Sequence, residues 1–214
     1  YLAGDEPVFL GPDVHIGTDE YNLKEAEQFR YFTDYYLKYI SGYGKNPRLW
    51  GSLKHMKGDT RVNLKGKTVN AWNYNWMDME TALKEGAKVV NTCDEFLYIV
   101  PSVNYYHDFL EYKWLYENWS PRMMKKGEMT EYSPNLSGAM FAVWNDRVGN
   151  GISQQDVHIR TFPAMQMIAE KLWKGENTAN ISFNTFENLC KRTPEAPGVN
   201  LQARVDGRKE LTPH

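Results

Sequence analysis

Two cysteines, Cys93 and Cys190, are all that the 214 residues contain. They lie far apart in sequence, which neither requires nor excludes a bridge, and so few give no reading of compartment. Long apolar runs are scarce too. None approaches the roughly 18 consecutive residues that a helix needs to cross a bilayer, which excludes a membrane-spanning helix. Nor is there an excess of basic residues: Lys and Arg total 25 against 27 Asp and Glu, giving a net charge of −2 and a pI near 6.3. Lys and Arg are scattered rather than striped, so the chain lacks the footprint of a nucleic-acid partner. Histidine is thin as well. His15, His55, His107, His158 and His214 show no metal-ligand spacing, and no metal or other cofactor is expected. The sequence has no repeat, no low-complexity segment and no opening signal peptide. It begins with Tyr rather than Met, as a cut end would.

What is present is ample material for a core, with 42% hydrophobic and 14% aromatic residues. One globular domain is the default at this length. Short strand-like runs alternate with helical periodicity. Strands are predicted at 14–17, 48–52, 69–73, 88–91 and 138–144, the last apolar throughout, as a strand covered on both faces should be. The first long helix runs from Leu23 to a stop at Ser41-Gly42. A second is capped by Asp78 and closes at Gly86, and a third begins at Ser153 or Asp156 and continues through Leu172. Residues 94–101 read as a loop, 105–119 as a short helix with an aromatic loop, and 183–189 as one more helix. Beyond Thr193 the chain has little to bury and reads as an irregular tail. Such alternation argues for parallel βα units. A closed (β/α)8 barrel needs eight strands and typically ~250 residues, whereas this chain supplies about five.

The chemistry gathers in Asp13-Val14-His15-Ile16-Gly17-Thr18-Asp19-Glu20. A short apolar run breaks at Gly17 into two adjacent carboxylates, just where parallel-strand architectures place catalytic groups. Neighbouring side chains leave a strand in opposite directions, so Asp19 and Glu20 should have different environments and different tasks. Three predicted strands end on or near a tryptophan: Trp50, Trp72 and Trp144. Each can pack in the core, but three at equivalent positions also suit the apolar face of pyranose rings. Asp146, two positions after Trp144, is within reach of sugar hydroxyls.

His15-x-Gly17-x-Asp19-Glu20 resembles the signature of the family-20 glycoside hydrolases, the β-N-acetylhexosaminidases and lacto-N-biosidases. The resemblance extends along most of the chain. Trp72 and Trp144 match the tryptophans that wall the terminal sugar pocket, Asp146 matches the acid that binds sugar hydroxyls, and Tyr98 resembles the tyrosine that holds the acetamido group. The family's usual aspartate two residues later is Val100 here. Arg160-Thr161-Phe162-Pro163 onwards resembles the closing helix. Trp50-Gly51-Ser52, the Phe96–Ser102 string and Ala142-Val143-Trp144-Asn145-Asp146 look most like the lacto-N-biosidase branch.

The resemblance implies an α/β fold that is the C-terminal portion, about strands 4 to 8, of a (β/α)8 TIM barrel. Residues 1–178 would be the partial catalytic domain and 179–214 a helix and irregular tail or linker. It also implies retaining hydrolysis of a glycan without an enzyme nucleophile, by way of an oxazoline intermediate, one of the exceptions to the two-carboxylate scheme. Glu20 would act as general acid and then general base, which asks for burial beside apolar walls. Asp19 would stay ionised and orient the 2-acetamido group that attacks the anomeric carbon. His15 would support the pair, or serve as a structural histidine. The missing strands, including one whose arginine grips the terminal sugar, would come from an N-terminal segment or a second chain. The family resemblance suggests a secreted or cell-surface protein. A segment of a split enzyme, inactive alone, and a silent sugar-binding module are the alternatives. The length of the reading frame upstream of Tyr1 separates the first, and retention of both acids argues against the second.

Overall fold

The computed structural model describes residues 2, 4, 7–147, 151–174 and 181–193. In chain order the elements are β1 (Asp13–His15), α1 (Ala26–Gly42), β2 (Asn46–Trp50), β3 (Thr68–Ala71), α2 (Met79–Lys84), β4 (Lys88–Asn91), α3 (Asp94–Leu97), β5 (Tyr98–Ile99), α4 (Tyr112–Asn118), β6 (Met123–Lys125), β7 (Glu128–Met129), β8 (Leu136–Ala139), β9 (Ala142–Val143), α5 (Gln154–Lys174) and α6 (Phe183–Arg192). They fall into two compact units. The first holds residues 1–95 and 121–140, the second 96–120 and 141–214. Among the described residues no helix is long and apolar enough to cross a membrane.

The first unit is built on a five-stranded parallel sheet in the order β1-β2-β3-β4-β8. Leu49, Val69 and Val89 lie side by side in register and are almost wholly buried, on the face covered by α1 and α2. The α1 helix follows from its spacing: Phe29, Thr33, Leu37 and Ile40 form one buried row. Each large apolar side chain in it contributes about 1.5–3 kcal/mol. Asn22 caps the short 3-10 turn Leu23–Glu25 that leads into α1, its side chain accepting from Lys24 N at 3.1 Å. Asp78 does the same for α2, accepting from Thr81 N at 2.8 Å, and Gly86 (φ +78°) closes the turn after it. The hairpin β6–β7 is tied to the end of β4 by the Cys93 thiol, 3.1 Å from Met124 O.

The second unit pairs β5 with β9 in parallel and packs α4, α5 and α6 together. Ser153 and Asp156 cap α5 reciprocally: Asp156 N donates to Ser153 Oγ at 3.2 Å, and Ser153 N to Asp156 Oδ2 at 2.9 Å. Phe186 of α6 stacks on Tyr116 of α4, ring centroids 4.8 Å apart. The fully buried Lys171 donates to Tyr116 O at 3.0 Å. Burial lowers its pKa to about 8.

Four of the five predicted strands stand within two residues of their expected bounds. The fifth does not. Residues 138–144 divide into β8, in the first unit, and β9, in the second, with Met140 exposed between them, and all of 136–144 is half-buried or exposed rather than covered on both faces. Tyr98–Ile99, read as loop, is the strand that β9 pairs with. The segment 179–214 is described only at 181–193, where α6 stands; the expected irregular tail lies outside the described residues.

Candidate active site

Gly17 and Thr18 shape the part of the chain that carries the expected site residues of the first unit. β1 ends at His15, Ile16 N donates to Arg48 O at 2.9 Å, and the next two residues turn left-handed, with φ of 79° and 73°. Glycine adopts that conformation freely, whereas for a β-branched residue it is a strained outlier of about 1–3 kcal/mol. The turn is held by the end of β2. Trp50 N donates to Gly17 O at 2.8 Å, Thr18 Oγ1 to Trp50 O at 3.2 Å, and the buried Ser52 hydroxyl meets Thr18 O at 2.9 Å and also Asp19 O. Gly51 is required between them, because a Cβ there would stand 2.8 Å from Met77 Cβ and 2.9 Å from Val69 Cγ1. Asp19 and Glu20 are thereby carried out of the strand end, and both side chains are exposed to solvent. Glu20 has none of the surrounding burial that its expected role asks for.

His15 does not bond either carboxylate among the described contacts. Its Nδ1 accepts from Gly17 N at 3.0 Å, which places the proton of the neutral ring on Nε2, and its ring meets Trp50 at 5.5 Å. Burial of part of the ring, helped by the Arg48 guanidinium, lowers the His15 pKa, while Asn70 and Asp19 oppose the shift. In register, His15 shares its sheet face with Arg48, Thr68 and Asp13, and Asn70 stands on the same face beside Trp50. Asp13 approaches Arg48 at 3.7 Å and accepts from Asn46 at 3.0 Å. This sheet face is polar and charged.

Trp50 is the last residue of β2 and half-buried, and Trp72 follows directly on β3. Trp72 is buried against Trp76 at 5.6 Å, and Trp76 in turn meets His55 at 4.5 Å. The Trp72 Nε1 donor is buried and has no partner.

In the second unit the structure gathers the other three expected residues. The buried Tyr98 ring meets the edge of Trp144 at 5.5 Å, and Trp144 N donates to Ile99 O at 2.9 Å, which fixes the tryptophan to the end of the β5–β9 pair. Asp146 is exposed and accepts from the Tyr105 hydroxyl at 3.3 Å. Val100, in place of the family's usual aspartate, is wholly buried. Sequence reading missed Thr18, Ser52 and Tyr105 as positioning residues. The Trp50-Gly51-Ser52 string was the available signal for the second of them.

Comparison with known proteins bears on this arrangement. The family model for the catalytic domain of glycosyl hydrolase family 20 matches residues 11–176. No curated protein sequence matches the chain. Among solved structures it is similar to a β-N-acetylhexosaminidase from Bacteroides fragilis, with a TM-score of 0.64 and 18% identity over 85% of this chain and 39% of that one. It is also similar to an exo-β-N-acetylglucosaminidase from Vibrio harveyi (TM-score 0.60, 17% identity, 84% of this chain, 30% of that one) and to dispersin B (0.58, 14%, 75% and 53%). At these identities the likeness is one of fold, an α/β arrangement consistent with part of a TIM barrel. The chain spans well under two thirds of each of those proteins.

Proposed function

The chain belongs to glycosyl hydrolase family 20, and from that premise we propose that it carries the two working carboxylates of a glycosidase acting on terminal β-linked N-acetylhexosamine-containing sugars. One observation supports this above the others: Asp19 and Glu20 project together from the carboxyl end of a parallel strand on a strained turn fastened to the neighbouring strand. Glu20 donates its proton to the glycosidic oxygen as the C1–O bond breaks. The substrate's acetamido oxygen closes on C1, and Asp19 accepts a hydrogen bond from the acetamido N–H and balances the cationic oxazoline. Water then attacks C1, gives its proton to Glu20 and reopens the ring, so that configuration is retained.

Trp50, Trp72 and Trp144 serve the sugar faces, Asp146 the hydroxyls and Tyr98 the acetamido group. The exposure of Glu20 fits a chain that is the later part, strands 4 to 8, of a barrel whose remaining strands supply the water-excluding walls. The polar face carried by His15, Arg48 and Asn70 fits the same reading, since polar groups are what a sugar-binding mouth needs to meet hydroxyls. For the sugar released by water, the Trp50-Gly51-Ser52 and Ala142–Asp146 strings favour a lacto-N-biosidase. In this reading the hairpin β6–β7, at the end of β4, helps select it. Hydrolysis of aryl glycosides of N-acetylglucosamine, N-acetylgalactosamine and lacto-N-biose by the full-length protein tests the proposal. The lacto-N-biose glycoside should be cleaved best with retention; no cleavage of any of the three would refute it.

A further inference from the structure

Arg160, first of the Arg160-Thr161-Phe162-Pro163 string, has no part in the proposed chemistry, yet every nitrogen of its guanidinium is engaged. Nη2 donates to both oxygens of Asp108 at 3.0 Å, Nε donates to Asp108 Oδ1 at 3.2 Å, and Nη1 donates to Asp156 O at 2.8 Å. The Phe109 ring lies against the guanidinium face, 4.6 Å from it. Arg160 is only 4% exposed. A buried ion pair is a weak source of stability, because desolvating both charges offsets their attraction, and apolar side chains of similar volume often serve a fold as well or better. What the pair does supply is geometry, since a two-pronged fork fixes a carboxylate in distance and in direction.

Asp108 stands just after a closed loop of the second unit. Val100 N donates to His107 O at 2.8 Å and His107 bridges to Ile99, so the chain leaves β5 and returns to it. In between it turns left-handed at Ser102 (φ 63°) and is seated by the buried Val103. Two consecutive tyrosines on the returning limb each reach one expected sugar contact. The Tyr105 hydroxyl donates to Asp146 Oδ2 at 3.3 Å, and the Tyr106 ring meets Tyr98 at 5.6 Å. Their own rings meet edge to face at 5.2 Å. Tyr105 is 65% exposed, so its own burial does little to hold it over Asp146. The anchor three residues on is the Asp108–Arg160 pair.

We propose that Asp108 and Arg160 are positioning residues for sugar recognition: their ion pair fixes the loop so that Tyr105 orients the Asp146 carboxylate and Tyr106 backs Tyr98. The inference rests on the reading of Asp146 and Tyr98 as sugar contacts. With Oδ2 taken by Tyr105, Oδ1 of Asp146 is left to meet a sugar hydroxyl, and the carboxylate is turned before the sugar arrives.

Replacing the pair by apolar side chains, Asp108→Leu with Arg160→Met, in the full-length protein separates positioning from stability. The melting temperature should stay within about 3 °C of the unaltered protein. KM for the aryl N-acetylhexosaminide cleaved best should rise about tenfold, with a smaller fall in kcat. Made in a protein that already carries Tyr105→Phe and Tyr106→Leu, the same replacement should add no more than about a twofold rise, because its effect runs through those two rings. Unchanged KM in the folded variant overturns the proposal. So does a kcat loss larger than the KM rise, and so does full additivity with the tyrosine changes. If the double variant does not fold, Asp108→Glu decides: it keeps the charge and displaces the loop by one methylene, so KM should rise about threefold, and an unchanged value overturns the proposal. The glycosidase reading fails separately, if the unaltered full-length protein cleaves no aryl N-acetylhexosaminide. The pair is then judged by calorimetric binding of N-acetylglucosamine, whose Kd the double variant, or Asp108→Glu in its place, should raise by the same factors. An unchanged Kd, or no binding by the unaltered protein, overturns the positioning role.

Discussion

Thr18 holds a backbone conformation that its own side chain disfavours, and the bonds from Trp50 and Ser52 are what keep it there. Removing one of those bonds should therefore be felt both in stability and in the site. Ser52→Ala leaves the carbonyls of Thr18 and Asp19 without their buried donor; unfolding free energy should fall by about 1–3 kcal/mol in denaturant titration. In the full-length enzyme kcat should fall more than KM changes, since the acid pair loses its position rather than its chemistry. Three further substitutions address the sugar side. Trp144→Ala should raise KM and lower kcat together, and Asp146→Ala should weaken hydroxyl recognition, with Tyr105→Phe a milder version of it. Unchanged kinetics for Trp144→Ala and Asp146→Ala would return Trp144 to a core-packing role. The strand end that carries Asp19 and Glu20 was legible in sequence because a glycine, a short apolar run and a following helix mark it. Ser52 and Tyr105 act through bonds spanning 33 and 41 residues, and no local pattern reports such pairings.

At the scale of elements, periodicity found what is long enough to be periodic. The α1 row of Phe29, Thr33, Leu37 and Ile40 and the strands around Leu49, Val69 and Val89 repeat often enough to be read directly. Strands β5, β7 and β9 are two residues long, and two residues have no period. That is why Gly138 to Trp144 looked like a single strand: its composition is uniformly apolar, while its pairing changes partner on either side of Met140. The polar inner face of the sheet was not legible for a different reason: alternation shows which residues share a face but not which face a helix covers. The α5 helix gives a pH test. Lys171 titrates near 8 when folded, against an ordinary 10.5. Between those values the unfolded chain still holds a proton that the folded one has released, so stability contributed at this position rises with pH across that window. Unfolding free energies of the wild type relative to Lys171→Met should move in favour of the wild type from pH 7 to pH 10, by on the order of 2 kcal/mol. A flat difference would mean that the ammonium is better solvated than its burial suggests.

For the whole molecule, the sheet has β1 and β8 as its two edges and an open polar face where a closed barrel would have a filled interior. The 214-residue chain by itself should dimerise, aggregate or require its complement, and should lack hexosaminidase activity. A sedimentation profile of a stable monomer that hydrolyses an N-acetylhexosaminide would contradict this. Because the exposed face is charged rather than apolar, the association should run through the β1 edge and the exposed Tyr31 and Tyr35 of α1. Leu37→Ala, by contrast, should cost about 2–5 kcal/mol through the core alone.

Paired substrates measure the proposed division of labour between Asp19 and Glu20. In the full-length enzyme, Glu20→Gln should cripple turnover of natural glycans while sparing the first step for an aryl glycoside with a good leaving group, which needs little protonation. Asp19→Asn should slow both substrates by similar large factors, because the oxazoline that Asp19 is proposed to stabilise is common to both. Near-full activity of Asp19→Asn on either substrate would contradict substrate assistance at this site.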